Sequence, residues 1–269
     1  MFLSWKTGIA AGLLIFLLGP AALGVWWLKP RPHPAMKPSA GAIQKLCRDL
    51  AFEGVDYVVC EVDLREDDIE LFHAAADSKP YGSLKAFDAA MAGQGRRPLV
   101  SMNAGMYHED LSPVGLLVEH GVQVSPITLA DGKGNFFMKP NGVFSIGKDG
   151  QAAITESAAF AAARSPVAFA TQSGPMLVIN GQLHERFEEN GSSRFIRNGV
   201  GVRDAHTVVL AISRRPVSFG SFGRLFRDAL GCADALYFDG AISALSNGSQ
   251  PVVGGAYPVG PILAVFPKG

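Results

Sequence analysis

The stretch Arg194–Ser213, RFIRNGVGVRDAHTVVLAIS, decides the fold class. Its two arms, Phe195–Val202 and Thr207–Ser213, are apolar and rich in β-branched residues, with a short polar break between them. Such side chains stand well on a pleated surface, and the break reverses the chain, so the pair predicts a β-hairpin. Outward from it the same signature recurs. Strands are expected at Val55–Asp63, Ile69–His73, Pro98–Asn103, Val114–Glu119, Gly142–Ile146 and Ala152–Thr155. Further ones fall at Val167–Thr171, Met176–Ile179 (closed by the turn residues Asn180-Gly181), Ala235–Phe238 and Ile262–Phe266. Apolar spacing at Leu84, Phe87, Ala90 and Met91 predicts a helix over Leu84–Ala92, with Ser83 as its N-cap. Ala158–Arg164 and Phe222–Leu230 are also expected to be helical. The expectation is an α+β protein: a single domain with a large mixed or antiparallel sheet and a few helices.

Composition agrees and excludes alternatives. Of 269 residues, 48% are hydrophobic and 18% charged, too little charge for disorder or a coiled coil. Lys+Arg and Asp+Glu both number 24, so there is no basic excess of the kind a duplex nucleic-acid binder needs. The 31 glycines and 17 prolines follow no collagen period and imply many tight turns.

Residues Thr7–Leu28 form a 22-residue run without charge. That suits either an uncleaved membrane anchor, with Trp26 and Trp27 at the interface, or a signal peptide cleaved after Ala22-Leu23-Gly24. Residues 29–40 are a proline-rich spacer, and the folded domain is expected over 41–269. Either reading exports the domain, and the anchor would make a membrane its partner. Cys47 and Cys60 flank a short excursion and are read as a disulfide, the alternative being two buried thiols. Cys232, in an apolar setting, is expected to be a free buried thiol. No Cys/His spacing suggests a metal, and no cofactor motif is present.

The usual nucleophile motifs are missing. What recurs is a small polar cluster, with glycine, at the end of an apolar strand: Asn103-Ala-Gly-Met-Tyr107, Lys139-Pro-Asn-Gly142, Gln172-Ser-Gly-Pro175, Arg197-Asn-Gly199 and Asp239-Gly-Ala-Ile-Ser243. Glycine at such points lets backbone N–H groups approach a ligand closely, which marks Gly174 and Gly240. The segments VCEVDL, NAGMY, KPNGVF, QSGPMLVINGQ, RFIRNGVGV and LYFDGAISAL, in this order, resemble the phosphodiester glycosidase domain family. That family includes the lysosomal uncovering enzyme and many exported bacterial proteins. The resemblance implies hydrolysis of a glycosyl-1-phosphodiester, with a carbohydrate phosphodiester as substrate. One block departs from the pattern: the usual Asp-Gly-Gly is Asp239-Gly240-Ala241, and alanine would be strained there if its φ were positive.

Roles follow from residue type. Arg197 is read as a two-pronged clamp on phosphate, against a surface ion pair with Glu188 or Glu189. Asp239, ending a very apolar strand, is read as acid/base, nucleophile or metal ligand, against an aspartate that merely opens a turn. Lys139 would offer a second positive charge. Asn103, Asn141, Asn198, Ser173 and Ser243 would bind sugar hydroxyls or phosphate oxygens. His108 is a weaker acid/base candidate. These residues are expected to converge on one rim. Two rival functions stand beside hydrolysis of the sugar bond: non-catalytic binding of a phosphoglycan, and phosphodiesterase cleavage of P–O.

Overall fold

The structure, a computed structural model, describes residues 46–269. The first hairpin pairs β1 (Cys47–Phe52) with β2 (Val55–Asp63). Its two turn residues, Glu53 and Gly54, both sit at positive φ, the geometry that a tight twisted hairpin demands. Cys47 lies directly across from Cys60, and the two are joined by a disulfide. The chain continues through β3 (Asp67–Phe72), α1 (Leu84–Gly93), β4 (Val100–Asn103), β5 (Leu117–Glu119), β6 (Val122–Ser125), β7 (Gly142–Gly147) and β8 (Ala152–Glu156). Then come α2 (Ser157–Ala163), β9 (Val167–Ser173), β10 (Met176–Ile179), β11 (Gln182–Leu183), β12 (Asn198–Asp204) and β13 (Thr207–Ser213). Helix α3 (Phe219–Arg224) runs into a π-helical turn, Leu225–Ala229, and the chain ends with β14 (Asp234–Asp239), β15 (Leu245–Ser246), β16 (Pro251–Val253) and β17 (Ile262–Pro267).

The strands form three sheets, and every pairing between them is antiparallel. The first, of seven strands, has the order β1-β2-β13-β12-β14-β10-β11; the others are β16-β15-β4-β17-β3 and β6-β5-β9-β7-β8. The expected single large sheet is therefore corrected to three among the described residues, and no strand pair among them is parallel. Burial gives the reason. On β2, Val58, Cys60 and Val62 enter one large core, while Tyr57 and Val59 enter another on the opposite face. Because both faces are apolar, each needs a cover, and one open sheet would leave a face wet. The large core takes side chains from all three sheets, including Met102, Phe144, Phe169, Val200, Leu236 and Val265. Helix α3 and its π turn seal the outer face of the seven-stranded sheet with Phe219, Phe222, Leu225 and Phe226.

Helix α1 covers the second sheet with Leu84, Phe87 and Met91. Ser83 caps it as expected, its Oγ accepting from the Ala86 N–H at 3.1 Å. Helix α2 lays Phe160 against the third sheet. The expected strand at Val114–Glu119 is only Leu117–Glu119, and the expected helix at Phe222–Leu230 begins at Phe219. The residues read as membrane segment and spacer lie outside the described residues. Among the described residues, no helix is long and apolar enough to cross a membrane.

Candidate active site

The sheets converge where β4 ends against β12 and β14. Asn103, the last residue of β4, and Asn198, the first of β12, are both fully buried. Asn198 Nδ2 donates to the Asn103 carbonyl (2.7 Å) and lies 3.0 Å from Asn103 Oδ1. Asn103 Oδ1 also accepts from the Ala244 N–H (2.8 Å), and its Nδ2 donates to the Ile242 carbonyl (2.8 Å). Asn198 Oδ1 accepts from the Asp239 N–H (3.1 Å). The Ser243 hydroxyl sits 2.9 Å from the Asp239 and Ile196 carbonyls. Asn103, Asn198 and Ser243 are thus brought together, and their polar atoms hold the loop from Asp239 to Ala244 in shape.

Asp239 sits at the mouth of this network. Its Oδ1 accepts from the N–H groups of Gly240 (2.6 Å) and Ala241 (2.9 Å), so it does open a turn. Burial pushes its carboxyl above the usual aspartate range, while the Gly240, Ala241 and Ile242 amides pull the other way. Ala241 is exposed and is not at positive φ, so the departure from Asp-Gly-Gly introduces no backbone strain. Gly240 is a glycine for want of space: a Cβ there would stand 2.1 Å from Tyr237 Oη and 3.3 Å from Arg197 Nη1.

Arg197 is fully buried and faces the same loop. Its Nε donates to the Val217 carbonyl (2.9 Å) and its Nη2 to the Ser193 carbonyl (2.9 Å). Its guanidinium lies 3.6 Å over the Phe219 ring. Only Nη1 has no hydrogen bond. Nε and Nη2 thus donate to protein groups, and Nη1 is the guanidinium nitrogen left for a ligand. The ion pair with Glu188 or Glu189 does not form. Among the described residues no salt bridge includes Arg197 or Asp239. Burying a cation without an anion costs several kcal/mol, about what breaking a buried ion pair costs, so its retention points to use.

Of the remaining expected residues, Ser173 bonds to β14 one residue before Asp239, and Lys139 and Asn141 have partners of their own. The Lys139 ammonium binds Asp131 (2.6 Å) and the Leu129 carbonyl (3.0 Å). Asn141 Nδ2 donates to the Phe136 carbonyl (2.9 Å), and Ser173 Oγ to the Phe238 carbonyl (3.1 Å). Gly174 packs so closely on Asn141 that a Cβ would come within 2.6 Å of Asn141 Cβ. His108 is exposed. Among the described residues there is no cluster of three His, Cys, Asp or Glu that could hold a metal ion.

Two aromatics that the sequence reading did not single out stand here. Tyr237 lies two residues before Asp239 on β14, across a register shift opposite Asn198 and Gly199. Its hydroxyl meets Arg197, and burial holds its proton on more tightly than in a free tyrosine. Phe195, two residues before Arg197, keeps 45% of its surface exposed. A neighbour two positions away in sequence was the signal available for both.

The site thus holds a buried, unneutralised guanidinium facing Gly240 and, one residue earlier, the partly buried Asp239, at the strand ends of an antiparallel β protein. That fold is shared with solved structures. One is the catalytic domain of zebrafish N-acetylglucosamine-1-phosphodiester alpha-N-acetylglucosaminidase, auto-inhibited by its pro-peptide: TM-score 0.59, 13% identity, 82% of each chain covered. Another is a hypothetical protein from Synechocystis: TM-score 0.55, 15% identity, covering 82% of this chain and 61% of that one. The chain belongs to the phosphodiester glycosidase family, whose model matches residues 97–266. It is 33% identical over 208 residues to the uncharacterized protein YigE of Escherichia coli K12, covering 77% of this chain and 81% of that one.

Proposed function

We propose that this chain is an exported glycosidase that hydrolyses a glycosyl-1-phosphodiester of an envelope or extracellular glycan, breaking the bond between the anomeric carbon and the phosphate oxygen. The observation that carries the reading is that Arg197 Nη1, buried and without a hydrogen-bond partner, faces Gly240, the residue that follows Asp239, and that neither charge has an ion-pair partner among the described residues. A diester phosphate is an anion and a good leaving group, so it needs little proton donation. What it needs is positive potential where its charge grows, and Arg197 supplies that from beneath the loop. The anomeric carbon becomes oxocarbenium-like as the bond breaks, and the Asp239 carboxylate stabilises it and accepts a proton from the attacking water. The water oxygen ends on the sugar, and the phosphomonoester leaves. Oδ1, held by two amides, keeps the carboxylate from rotating away.

Export is supported by the Cys47–Cys60 disulfide and by the apolar segment and spacer in the sequence. A membrane partner would follow from an uncleaved segment. The reading is tested by incubating the purified chain with a panel of sugar-1-phosphodiesters and measuring the free sugar released. Asp239→Asn is expected to lower kcat/KM by about 10²-fold or more with the fold intact. Equal rates for the variant and the parent would overturn the role given to Asp239.

A further inference from the structure

We infer that the Phe195 ring is the platform on which the sugar of the diester lies, with a C–H face of the pyranose stacked against it. This rests on the reading of the Arg197–Asp239 site as a sugar phosphodiester site. Among the described residues, Phe195 is one of the few large apolar side chains that remain open to solvent, at 45% exposure. It is not a loose surface residue. Its N–H donates to the Val217 carbonyl (3.2 Å), and the Val217 N–H donates back to the Phe195 carbonyl (2.8 Å). The same Val217 carbonyl accepts from Arg197 Nε, so one backbone group places both the aromatic and the cation. The ring centre is 5.5 Å from the Arg197 guanidinium carbon. Phe195 Cβ would also be 3.3 Å from a Cβ on Gly240, the residue that follows Asp239.

An aromatic next to the cation that would face the phosphate, with its Cβ against the loop that follows Asp239, offers an apolar surface on which the sugar ring can lie. A pyranose is polar at its edge and presents C–H groups on its faces. The negative face of an aromatic ring attracts those C–H groups, and stacking removes apolar surface from water on both partners. The hydroxyls are left at the edge, free for water or for the amides of the Asp239 loop. A ring fixed before binding loses little entropy on stacking.

The probe is the methyl phosphodiester of N-acetylglucosamine 1-phosphate, used with the full chain, Phe195→Ala and Phe195→Trp. Phe195→Ala is expected to raise KM about tenfold while kcat changes much less, and Phe195→Trp to restore KM. In parallel, saturation-transfer NMR with irradiation of the aromatic protons is expected to reach the sugar ring protons in the parent and to lose them in Phe195→Ala. Hydrolysis with KM unchanged in a folded Phe195→Ala protein overturns the platform and leaves the proposed function standing. Saturation reaching the methyl ester and not the sugar also overturns it, since the ring would then hold the leaving group. Sugar saturation that depends on Phe195 without any hydrolysis sustains the platform and defeats the proposed activity. No saturation and no hydrolysis defeats both.

Discussion

At the scale of single residues, the loop after β14 is governed by room, and its backbone is unstrained. Gly240 lies under no positive-φ demand, yet a methyl group there would collide with Tyr237 Oη. Gly240→Ala is therefore expected to destabilise the fold by about 1–3 kcal/mol, the usual cost of overpacking. Tyr237→Phe removes the colliding oxygen, so the double variant is expected to regain most of the loss; thermal melts of the four proteins give the answer. Asp239 supplies a second case. Its carboxyl is pushed up by burial, so its charged form is disfavoured in the folded state. A raised carboxyl contributes stability that is present below the ordinary value of about 4 and is lost as pH rises through the folded value. The Asp239→Asn variant would suffer no such loss, because its amide does not ionise and its oxygen can still accept from the same backbone N–H groups. Denaturant midpoints at low and neutral pH are expected to shift in favour of the variant as pH rises. A constant difference would contradict the direction. Lys139 pairs with Asp131, eight positions earlier, in a solvent-exposed ion pair of the kind that contributes little.

At the scale of elements, the hairpin of β12 and β13 was legible because its arms are long, β-branched and buried. Helix α1 was legible from its spacing and from Ser83. Strand β1 was not read as a strand. CRDLAF carries charges at two successive positions, Arg48 and Asp49, one on each face, and its extended form depends on pairing with β2 and on the Cys47–Cys60 bond. The two-residue strands β11 and β15 exist only through their neighbours. The candidate site divides the same way. Arg197 and Asp239 were visible as charges at the ends of apolar runs, whereas Tyr237 and Phe195 looked like core. Asn103, Asn198 and Ser243 were visible as polar residues, but that they brace the loop follows only from which sheets meet. The disulfide closes a short loop, 13 residues apart in sequence, and its loss is expected to cost about 3 kcal/mol. Cys232 is buried and its thiol is pushed up to about 12, so it stays unreactive in the folded protein. Thiol titration of unfolded, unreduced chain should then find one thiol, and three would contradict the pairing.

At the scale of the whole molecule, three sheets around one core hold the site rigidly, because each loop that meets there leaves a different strand end. The described residues lie within one compact unit. A chain beginning at Gly41 is accordingly expected to be soluble and to melt in a single cooperative transition; an aggregated or molten product would show that earlier residues belong to the core. The central claim is that this unit breaks a sugar–oxygen bond. The direct measurement is hydrolysis of a sugar-1-phosphodiester in ¹⁸O-water, followed by mass spectrometry of both products. The account predicts the label on the anomeric oxygen of the released sugar and none in the phosphate. Label in the phosphomonoester would mean P–O cleavage and would contradict it.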